Sequence, residues 1–182
     1  MKIFFAVALL AACMALPAQE TRREVSDATG NPAVDSKPNS PDVPDVFAVS
    51  GHLERIVVLR FKFGTDLLAG LNKMIAQEKI KNAVILGAVG SVRGYQVHMV
   101  SNRDLPAKLL FIKNPNAPAD IIGMSGIVMN GRAHPHITLV NGDKAFGGHL
   151  EPETSVFTFA VVTLGVLDDS MDMSRFDDAS YR

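Results

Sequence analysis

Three histidines in the second half of the sequence have a spacing that could bind a metal ion. Two of them form His134-Pro135-His136, and the third, His149, follows thirteen residues later beside a glycine pair. Side chains alternate between the two faces of a β-strand, so an H-x-H sequence places both imidazoles on one face. Three histidine nitrogens with an open fourth position are a ligand set of catalytic zinc sites. The sequence therefore predicts a metal site made of His134, His136 and His149.

The residues between these histidines predict how their strands pair. Asn141-Gly142 is the strongest short-range signal for a β-hairpin with a two-residue turn. With that turn, His134 would lie directly opposite His149, their Cβ atoms roughly 5 Å apart, and His136 would lie diagonally within reach. Gly147 would face His136 and leave open space above the imidazoles. A turn of three residues would instead move His149 to the other face and separate the set.

Histidines on a hydrated hairpin face are the alternative interpretation of the same residues. The chain has five histidines, and three of them fall on one face of one predicted hairpin. Because three histidines share one face and their spacing matches that of metal ligands, we treat the metal site as a hypothesis to test. The other two histidines, His52 and His98, share no such spacing, and for both we expect surface exposure or core packing.

Residues 1–18 have the features of an export signal. Lys2 supplies the positive charge, residues 3–16 the apolar core, and the sequence ending at Ala18 a cleavage site. The apolar run is short for a membrane span. Cys13, the only cysteine, ends a Leu-Ala-Ala-Cys sequence typical of lipoprotein processing, so a lipid anchor at Cys13 is the alternative. We expect an exported protein, periplasmic or secreted, and simple secretion is favoured over the anchor.

Composition divides the rest of the chain into three parts. Residues 19–45 are rich in proline and polar side chains, so we predict a disordered linker. Residues 167–182 are similarly polar and are predicted to form a C-terminal tail. The intervening residues 46–166 are long enough for one domain with its own core. Cleavage after Ala18 would leave this domain without cysteine and hence without disulfides.

The domain reads as one strand, one helix and then a series of strands. Residues 55–63 alternate like a strand, and Thr65 or Asp66 is the expected N-cap of an amphipathic helix that ends near Glu78 or Lys79. Short apolar segments separated by turn residues follow, with no crossover helix between them. The predicted class is α+β, with a mainly antiparallel β-sheet and one long amphipathic helix.

Five segments of this domain carry a family resemblance: residues 58–71, 83–97, 121–128, 131–140 and 145–162. Their order and sequences resemble the PPC (plants-and-prokaryotes conserved) domain family, which also occurs in plant AT-hook nuclear proteins. The likeness covers essentially all of residues 55 to 164. Its most specific parts are the His134/His136 pair and the Gly-Gly-His-Leu sequence that contains His149.

The resemblance implies a subunit that assembles as a homotrimer. It also implies zinc bound through the histidines that correspond to His134, His136 and His149. The same general fold is shared with the acetolactate decarboxylases, whose H-x-H and downstream histidine bind zinc. The spacing between the second and third ligands differs here, so the decarboxylase reaction is not carried over.

Many members of the family are described as DNA-binding, which the charge of this chain does not favour. Its 18 Lys and Arg nearly balance 19 Asp and Glu, for a net charge of −1, and it has no Arg-Gly-Arg-Pro sequence. A nucleic-acid partner is therefore not expected, because binding to DNA depends on a concentration of positive charge. An export signal would also remove the protein from chromosomal DNA.

Two classes of function stay open. The first is a zinc-dependent protein that binds or acts on a small anionic ligand by Lewis-acid chemistry, with Arg60, Arg93 and Arg132 as candidate anion contacts. Glu151 or Glu153 could act as acid or base, although exposed structural roles are the simpler interpretation of all five residues. The second is a non-catalytic scaffold or DNA-binding-type module of the PPC family, in which the metal stabilises the sheet. No particular catalytic residue follows from the sequence.

Overall fold

The computed structural model of the protein describes residues 21–176, and these residues form eight β-strands and two α-helices. The predicted export signal and Cys13 lie outside the described residues. Among the described residues, no helix is long and apolar enough to cross a membrane. The elements in chain order are β1 (Arg22–Asp27), α1 (Pro32–Asp35), β2 (Leu53–Lys62), α2 (Leu67–Gln77), β3 (Ala83–Val100), β4 (Lys108–Asn114), β5 (Ala119–Met129), β6 (Arg132–Val140), β7 (Ala145–Leu150) and β8 (Ser155–Leu167).

The eight strands form one sheet in which every pairing is antiparallel. The strand order is β1-β4-β3-β5-β6-β7, and β7 pairs back to β3, so that β3, β5, β6 and β7 close on one another. Strand β8 pairs with both β2 and the first part of β3. The 18-residue strand β3 thus borders four other strands. The prediction of a mainly antiparallel sheet is confirmed.

The helix α2 begins and ends close to where the sequence predicted, but it is a helix of ordinary length. It has 11 residues, about three turns, so the prediction of one long helix is not confirmed. Asp66 is the N-cap, because its side chain accepts a hydrogen bond from the backbone N–H of Ala69 at 2.8 Å. The helix ends before Lys79, whose φ of 54° turns the chain so that Ile80 enters the core.

The core lies between α2 and the inner faces of the strands. On the helix, Leu67, Leu71 and Ile75 are fully buried, as their spacing predicts. Alternate residues of β2 point inward, and Leu59 and Phe61 are buried on the face of the sheet that packs against α2. Removal of these apolar side chains from water, at about 25 cal/mol per Å², is the main source of stability for a chain of this composition.

The segment predicted as a disordered linker contains an edge strand. All six residues of β1 pair with β4. The carboxylate of Asp35, which is buried, accepts two hydrogen bonds from the backbone N–H of Thr29, both at 3.1 Å. The prediction counted only apolar side chains, whereas β1 is held by main-chain hydrogen bonds to the edge of an existing sheet. The domain boundaries themselves stay a prediction.

The start of the predicted C-terminal tail packs against the domain. Leu167 ends β8, and it forms a second small cluster with the buried Met171 and Met173. Asn82, fully buried, donates a hydrogen bond from its side-chain amide to the carbonyl of Met171 at 3.0 Å and accepts one from the backbone N–H of Asn130 at 3.2 Å. The tail therefore begins as part of the fold.

Candidate metal centre

The β6–β7 hairpin has a longer turn than the sequence predicted. Val140 pairs with Ala145, so four residues connect the strands and the prediction of a two-residue Asn-Gly turn is wrong. The side-chain oxygen of Asn141 accepts hydrogen bonds from the backbone N–H groups of Asp143 and Lys144, each at 3.0 Å. These two contacts satisfy main-chain donors inside the loop, which is how an asparagine stabilises a wider turn.

The longer turn shifts the strand register by two residues and keeps the histidines together. His136, rather than His134, lies opposite His149. Because side chains alternate with period two, a shift of two leaves every residue on its original face. One ligand nitrogen from each of His134, His136 and His149 lies within 4.8 Å of the other two. The ring centroids are 4.6 Å apart for His134 and His149, and 5.4 Å apart for His136 and His149.

Burial on the opposite face of β6 explains why the imidazoles point outward. Pro135 and Ile137 are buried, whereas His134 and His136 are exposed. The apolar residues pack against the core, so the side chains between them must point to the outer face of the strand. Leu150, also buried, anchors β7 just after His149. The histidine cluster is therefore positioned by ordinary core packing behind it.

The glycine pair before His149 allows β7 to fit closely between two strands. A Cβ on Gly147 would lie 2.1 Å from the carbonyl oxygen of Ile137 on β6. A Cβ on Gly148 would lie 2.2 Å from the carbonyl oxygen of His98 on β3. The expectation that Gly147 faces His136 is wrong, because it faces Thr138. These glycines are needed for close backbone approach.

Partial burial and mutual repulsion lower the pKa of two of the three imidazoles. The pKa of His149 is lowered to about 4, first by burial and then by the positive charges that His134, His98 and His136 would carry. The pKa of His136 is also lowered, by burial and then by His134 and His98. A neutral imidazole has a free lone pair on one nitrogen, which is the form that binds a metal ion. Around pH 7 little proton release is needed before these two residues bind a cation.

A fourth histidine, His98, lies beside the cluster, which was not predicted from the sequence. It pairs with His149 across β3 and β7, and its ring stacks on that of His149 with centroids 4.7 Å apart. Its Nδ1 lies 2.5 Å from a carboxylate oxygen of Glu151. Only a prediction that β7 returns to β3 would have found His98, because the two strands are far apart in the chain.

The two glutamates proposed as acid or base candidates both have partners. Glu151 binds His98, as described, and is half-buried rather than fully solvated. Glu153 forms an ion pair with Lys113 on β4, and its φ of 69° places it in a tight turn. Glu151 is thus part of the surroundings of the cluster, whereas Glu153 has a structural setting.

Of the three candidate arginines, one lies on the histidine side of the sheet. Arg132, exposed at the start of β6, shares the outward face with His134 because the two are separated by one residue. Arg60 lines a separate groove between β2 and α2. The guanidinium of Arg93 lies 5.2 Å from the ring centre of Phe63, so it has a cation–π partner elsewhere.

The fold and this cluster together define a class of protein: a closed antiparallel sheet with one flanking helix and histidines on the outer face of a hairpin. The family model of the Plants and Prokaryotes Conserved (PCC) domain matches residues 48–168. The chain belongs to this family, the one that the sequence segments resemble under the name PPC. The matched region contains the whole histidine cluster and leaves β1 outside.

Solved structures support the same fold. A metal-containing protein from Archaeoglobus fulgidus aligns with a TM-score of 0.58 at 20% identity, over 68% of this chain and 86% of that chain. A hypothetical protein from Salmonella enterica gives 0.55 at 20% identity, over 66% and 81%. A plant- and prokaryote-conserved protein from Pyrococcus horikoshii gives 0.53 at 22% identity, over 69% and 85%. No curated protein matches the chain by sequence. At these identities the likeness shows the fold alone.

Proposed function

We propose that this protein is an exported, homotrimeric PPC-domain protein that binds zinc through His134, His136 and His149 and uses that centre to bind a small anionic ligand. The observation that carries the proposal is the convergence of three imidazole nitrogens within 4.8 Å of one another on an outward-facing hairpin. The Archaeoglobus fulgidus protein, which shares the fold, is described as metal-containing.

The donor set fits zinc better than the harder divalent cations. Imidazole nitrogen is a preferred ligand of Zn²⁺, whereas Mg²⁺ and Ca²⁺ prefer oxygen. The lowered pKa values of His136 and His149 favour the neutral, ligating form. Among the described residues, the group of converging metal-binding side chains contains these three histidines and no carboxylate. Nitrogen donors alone therefore define the proposed site.

An open fourth position would suit a ligand. His134 and His136 are exposed, so the outward side of the cluster faces solvent in the single chain. Zinc, when bound, supplies a Lewis acid for an oxygen of an anionic ligand. Arg132 shares the face of His134 and is the arginine best placed to bind the ligand's negative charge. A small carboxylate is the ligand class that satisfies both groups.

An exposed apolar surface supports the proposed trimer. We define the outer apolar face as Val58 on β2, Leu86 and Val89 on β3, Ile122 on β5 and Phe159 on β8. All five are exposed in the single chain, with Val58 at 64%. Leu86, Val89 and Ile122 line one shallow depression, and exposed apolar side chains grouped in this way are typical of a protein–protein interface. A cyclic homotrimer would bury it in three equivalent contacts.

Export is proposed from the sequence of residues 1–18. A charged residue, an apolar run and a cleavage site in that order are typical of secretory signals. Mass spectrometry of the mature protein distinguishes the two forms. A chain that begins after Ala18 supports secretion, and a lipid-modified N-terminal Cys13 supports the anchor.

Metal analysis of the purified mature protein tests the centre. We expect about one zinc per chain, and His136→Ala should lower the zinc affinity more than about 100-fold, beyond the loss typical of changes outside the ligand set. His52→Ala is the matched control, because it removes a histidine that is not in the cluster. Equal zinc content in wild type and His136→Ala would contradict the site assignment.

Calorimetry with small carboxylates then tests the ligand. We expect binding to the zinc-loaded protein, weaker binding by Arg132→Gln and none by the metal-free protein. Carboxylate binding of equal strength with and without zinc would contradict the proposed role of the centre.

A second candidate function is the non-catalytic scaffold. The outer apolar face favours it, since assembly could be the main role of the sheet. An absorption spectrum of the Co²⁺-substituted protein that does not respond to any carboxylate would favour the scaffold. A spectrum that shifts with carboxylate would favour ligand binding at an open position.

A further inference from the structure

We propose that His98 is a positioning residue for the metal centre: held by Glu151 and Phe111, it fixes the orientation of the His149 ring. This inference rests on the proposed zinc site and adds a residue outside the ligand set. Phe111, His98 and His149 lie side by side on three neighbouring strands, β4, β3 and β7 respectively. Their side chains therefore share one face of the sheet.

The three rings pack in a row, with the His98–His149 pair stacked and the Phe111 ring tilted by 43° to that of His98. The His98 ring lies 5.0 Å from that of Phe111 and 4.7 Å from that of His149, and it is inclined by only 29° to the latter. Both distances are within the range of favourable aromatic contacts. The His98 ring thus packs against one side of the His149 ring, and the Phe111 ring packs against the opposite side of His98.

A hydrogen bond keeps His98 in this orientation. An ionised carboxylate only accepts hydrogen bonds, so the Nδ1–H of His98 donates to Glu151 at 2.5 Å. Glu151 is itself fixed, because its backbone N–H donates to the carbonyl of Gln96 at 3.1 Å and its carbonyl accepts from the hydroxyl of Thr154 at 3.0 Å. Rotation of the His98 ring would break a short contact to an anchored partner.

The orientation of His149 matters because a histidine ligand must present one nitrogen to the metal. A ring that is free to rotate loses conformational entropy when it binds, whereas a ring already held in place does not. Groups that orient metal ligands typically contribute 10–100-fold to metal affinity. The stack performs that orientation here without a hydrogen bond to His149 itself.

Direct ligation by His98 is the competing role, and the geometry favours positioning. The hydrogen bond of Nδ1 to Glu151 does not decide between the roles, because a ligating histidine commonly donates its other ring N–H to a carboxylate. Among the described side chains, the converging donors are those of His134, His136 and His149, and His98 is not one of them. His98 therefore contacts a ligand residue and is not itself within the ligand group.

Two substitutions of His98 separate these roles. His98→Ala removes both the stack and the hydrogen bond, and we expect zinc affinity, measured by competition with a chromophoric chelator, to fall roughly ten-fold. His98→Phe keeps an aromatic ring between Phe111 and His149 but lacks the hydrogen bond to Glu151, so it should recover only part of that affinity. His52→Ala controls for the loss of a histidine elsewhere. The Co²⁺ absorption bands of His98→Ala should also broaden, because the His149 ring is less uniformly placed.

The outcomes are distinguishable from those of the zinc proposal. Wild-type affinity and an unchanged Co²⁺ spectrum in His98→Ala would overturn the positioning role while leaving the zinc site intact. Equal losses in His98→Phe and His98→Ala would also overturn it, because they would show that the ring contact with His149 contributes nothing to zinc affinity. A wild-type protein without zinc would remove both proposals.

A third variant keeps the test decisive if His98→Ala does not fold. Glu151→Ala leaves the His98 ring in place and removes only its anchor, so zinc affinity should fall by about five-fold, as for loss of one hydrogen bond. Unchanged affinity in Glu151→Ala, with His98→Phe also unchanged, would overturn the proposal.

Discussion

The same sheet presents two exposed faces of opposite character. On β6, buried Pro135 and Ile137 alternate with exposed His134 and His136, so the outward face is polar. On the outer apolar face, the exposed side chains are as apolar as those in the core behind them. The polar histidine face can remain in contact with water in a single chain. Contact with water is unfavourable for the outer apolar face, so that face is expected to be covered by another molecule.

This difference shows what alternation does and does not encode. A strand that alternates between apolar and polar residues specifies which face meets solvent. A strand with apolar side chains on both faces is expected to be buried on both. In the single chain, the core covers one of these faces and the other is exposed. The difference predicts that changes on the histidine face alter metal binding, and that changes on the outer apolar face alter assembly.

The largest effect is expected from adding one methyl group to β7. In Gly148→Ala, the new Cβ would lie 2.2 Å from the carbonyl oxygen of His98, so β7 must move away from β3. We expect a loss of about 3 kcal/mol of unfolding free energy, together with the loss of zinc binding. Chemical denaturation and metal analysis measure the two effects.

The matched control lies on the other face. A Cβ on Gly87 of β3 would meet no atom within 4 Å, so Gly87→Ala should change the unfolding free energy of the chain by less than about 0.5 kcal/mol. Losses of similar size in the two variants would mean that glycine is not required for close approach at β7.

A charge on the outer apolar face is expected to dissociate the proposed trimer without unfolding the chain. Val58→Asp places a carboxylate where a neighbouring subunit would exclude water, and the trimer should weaken by about 100-fold or more. Val25→Asp on β1 is the control, since Val25 has similar exposure, 57% against 64% for Val58. Sedimentation at micromolar concentration measures the oligomeric state. A Val58→Asp variant that is still trimeric would show that the interface lies elsewhere.

Acid should destabilise the metal-free protein through the histidine face. The pKa of His149 falls from 6.5 to about 4 on folding, so between these values the unfolded chain binds more protons than the folded chain. Stability should therefore decrease as the pH falls from 6.5 to 4, by less than the ~1.4 kcal/mol per pH unit that one full proton gives. Thermal unfolding across this range should show a shallower dependence in His149→Asn, and parallel curves would contradict the assignment.

The smallest effect should come from the helix behind both faces. Asp66→Ala removes the N-cap of α2 and the side-chain acceptor of the backbone N–H of Glu153 at 2.6 Å. The expected loss is about 1 kcal/mol of unfolding free energy. Zinc affinity and trimer dissociation should both stay as in wild type. A change in either would show that α2 is coupled to that face.

Periodicity predicted the sheet and the location of the helix because both depend on local patterns. Leu67, Leu71 and Ile75 recur at helical spacing, and the structure buries all three. The end of the helix near Glu78 and Lys79 was also predicted, whereas the description of the helix as long was not confirmed, since it has 11 residues. The pairing of β1 with β4 was missed because main-chain hydrogen bonds leave little trace in side-chain composition.

The histidine cluster was predicted for a partly wrong reason. Strand alternation gave the correct face for His134, His136 and His149, whereas the turn length and the opposing pair were wrong. His98 was missed because its position depends on the long-range pairing of β3 and β7. Local spacing therefore identified the converging side chains but not their surroundings. Metal binding by the cluster stays a prediction.

The four-residue turn after β6 has a consequence for how the family could evolve. Gaining or losing two residues in this loop slides one strand past the other and keeps every side chain on its face, whereas gaining or losing one turns His149 towards the interior. Loop lengths compatible with a three-histidine centre should therefore differ between relatives in steps of two. An odd-length hairpin in a homologue would mark a lineage in which the centre has been abandoned or rebuilt with a compensating bulge.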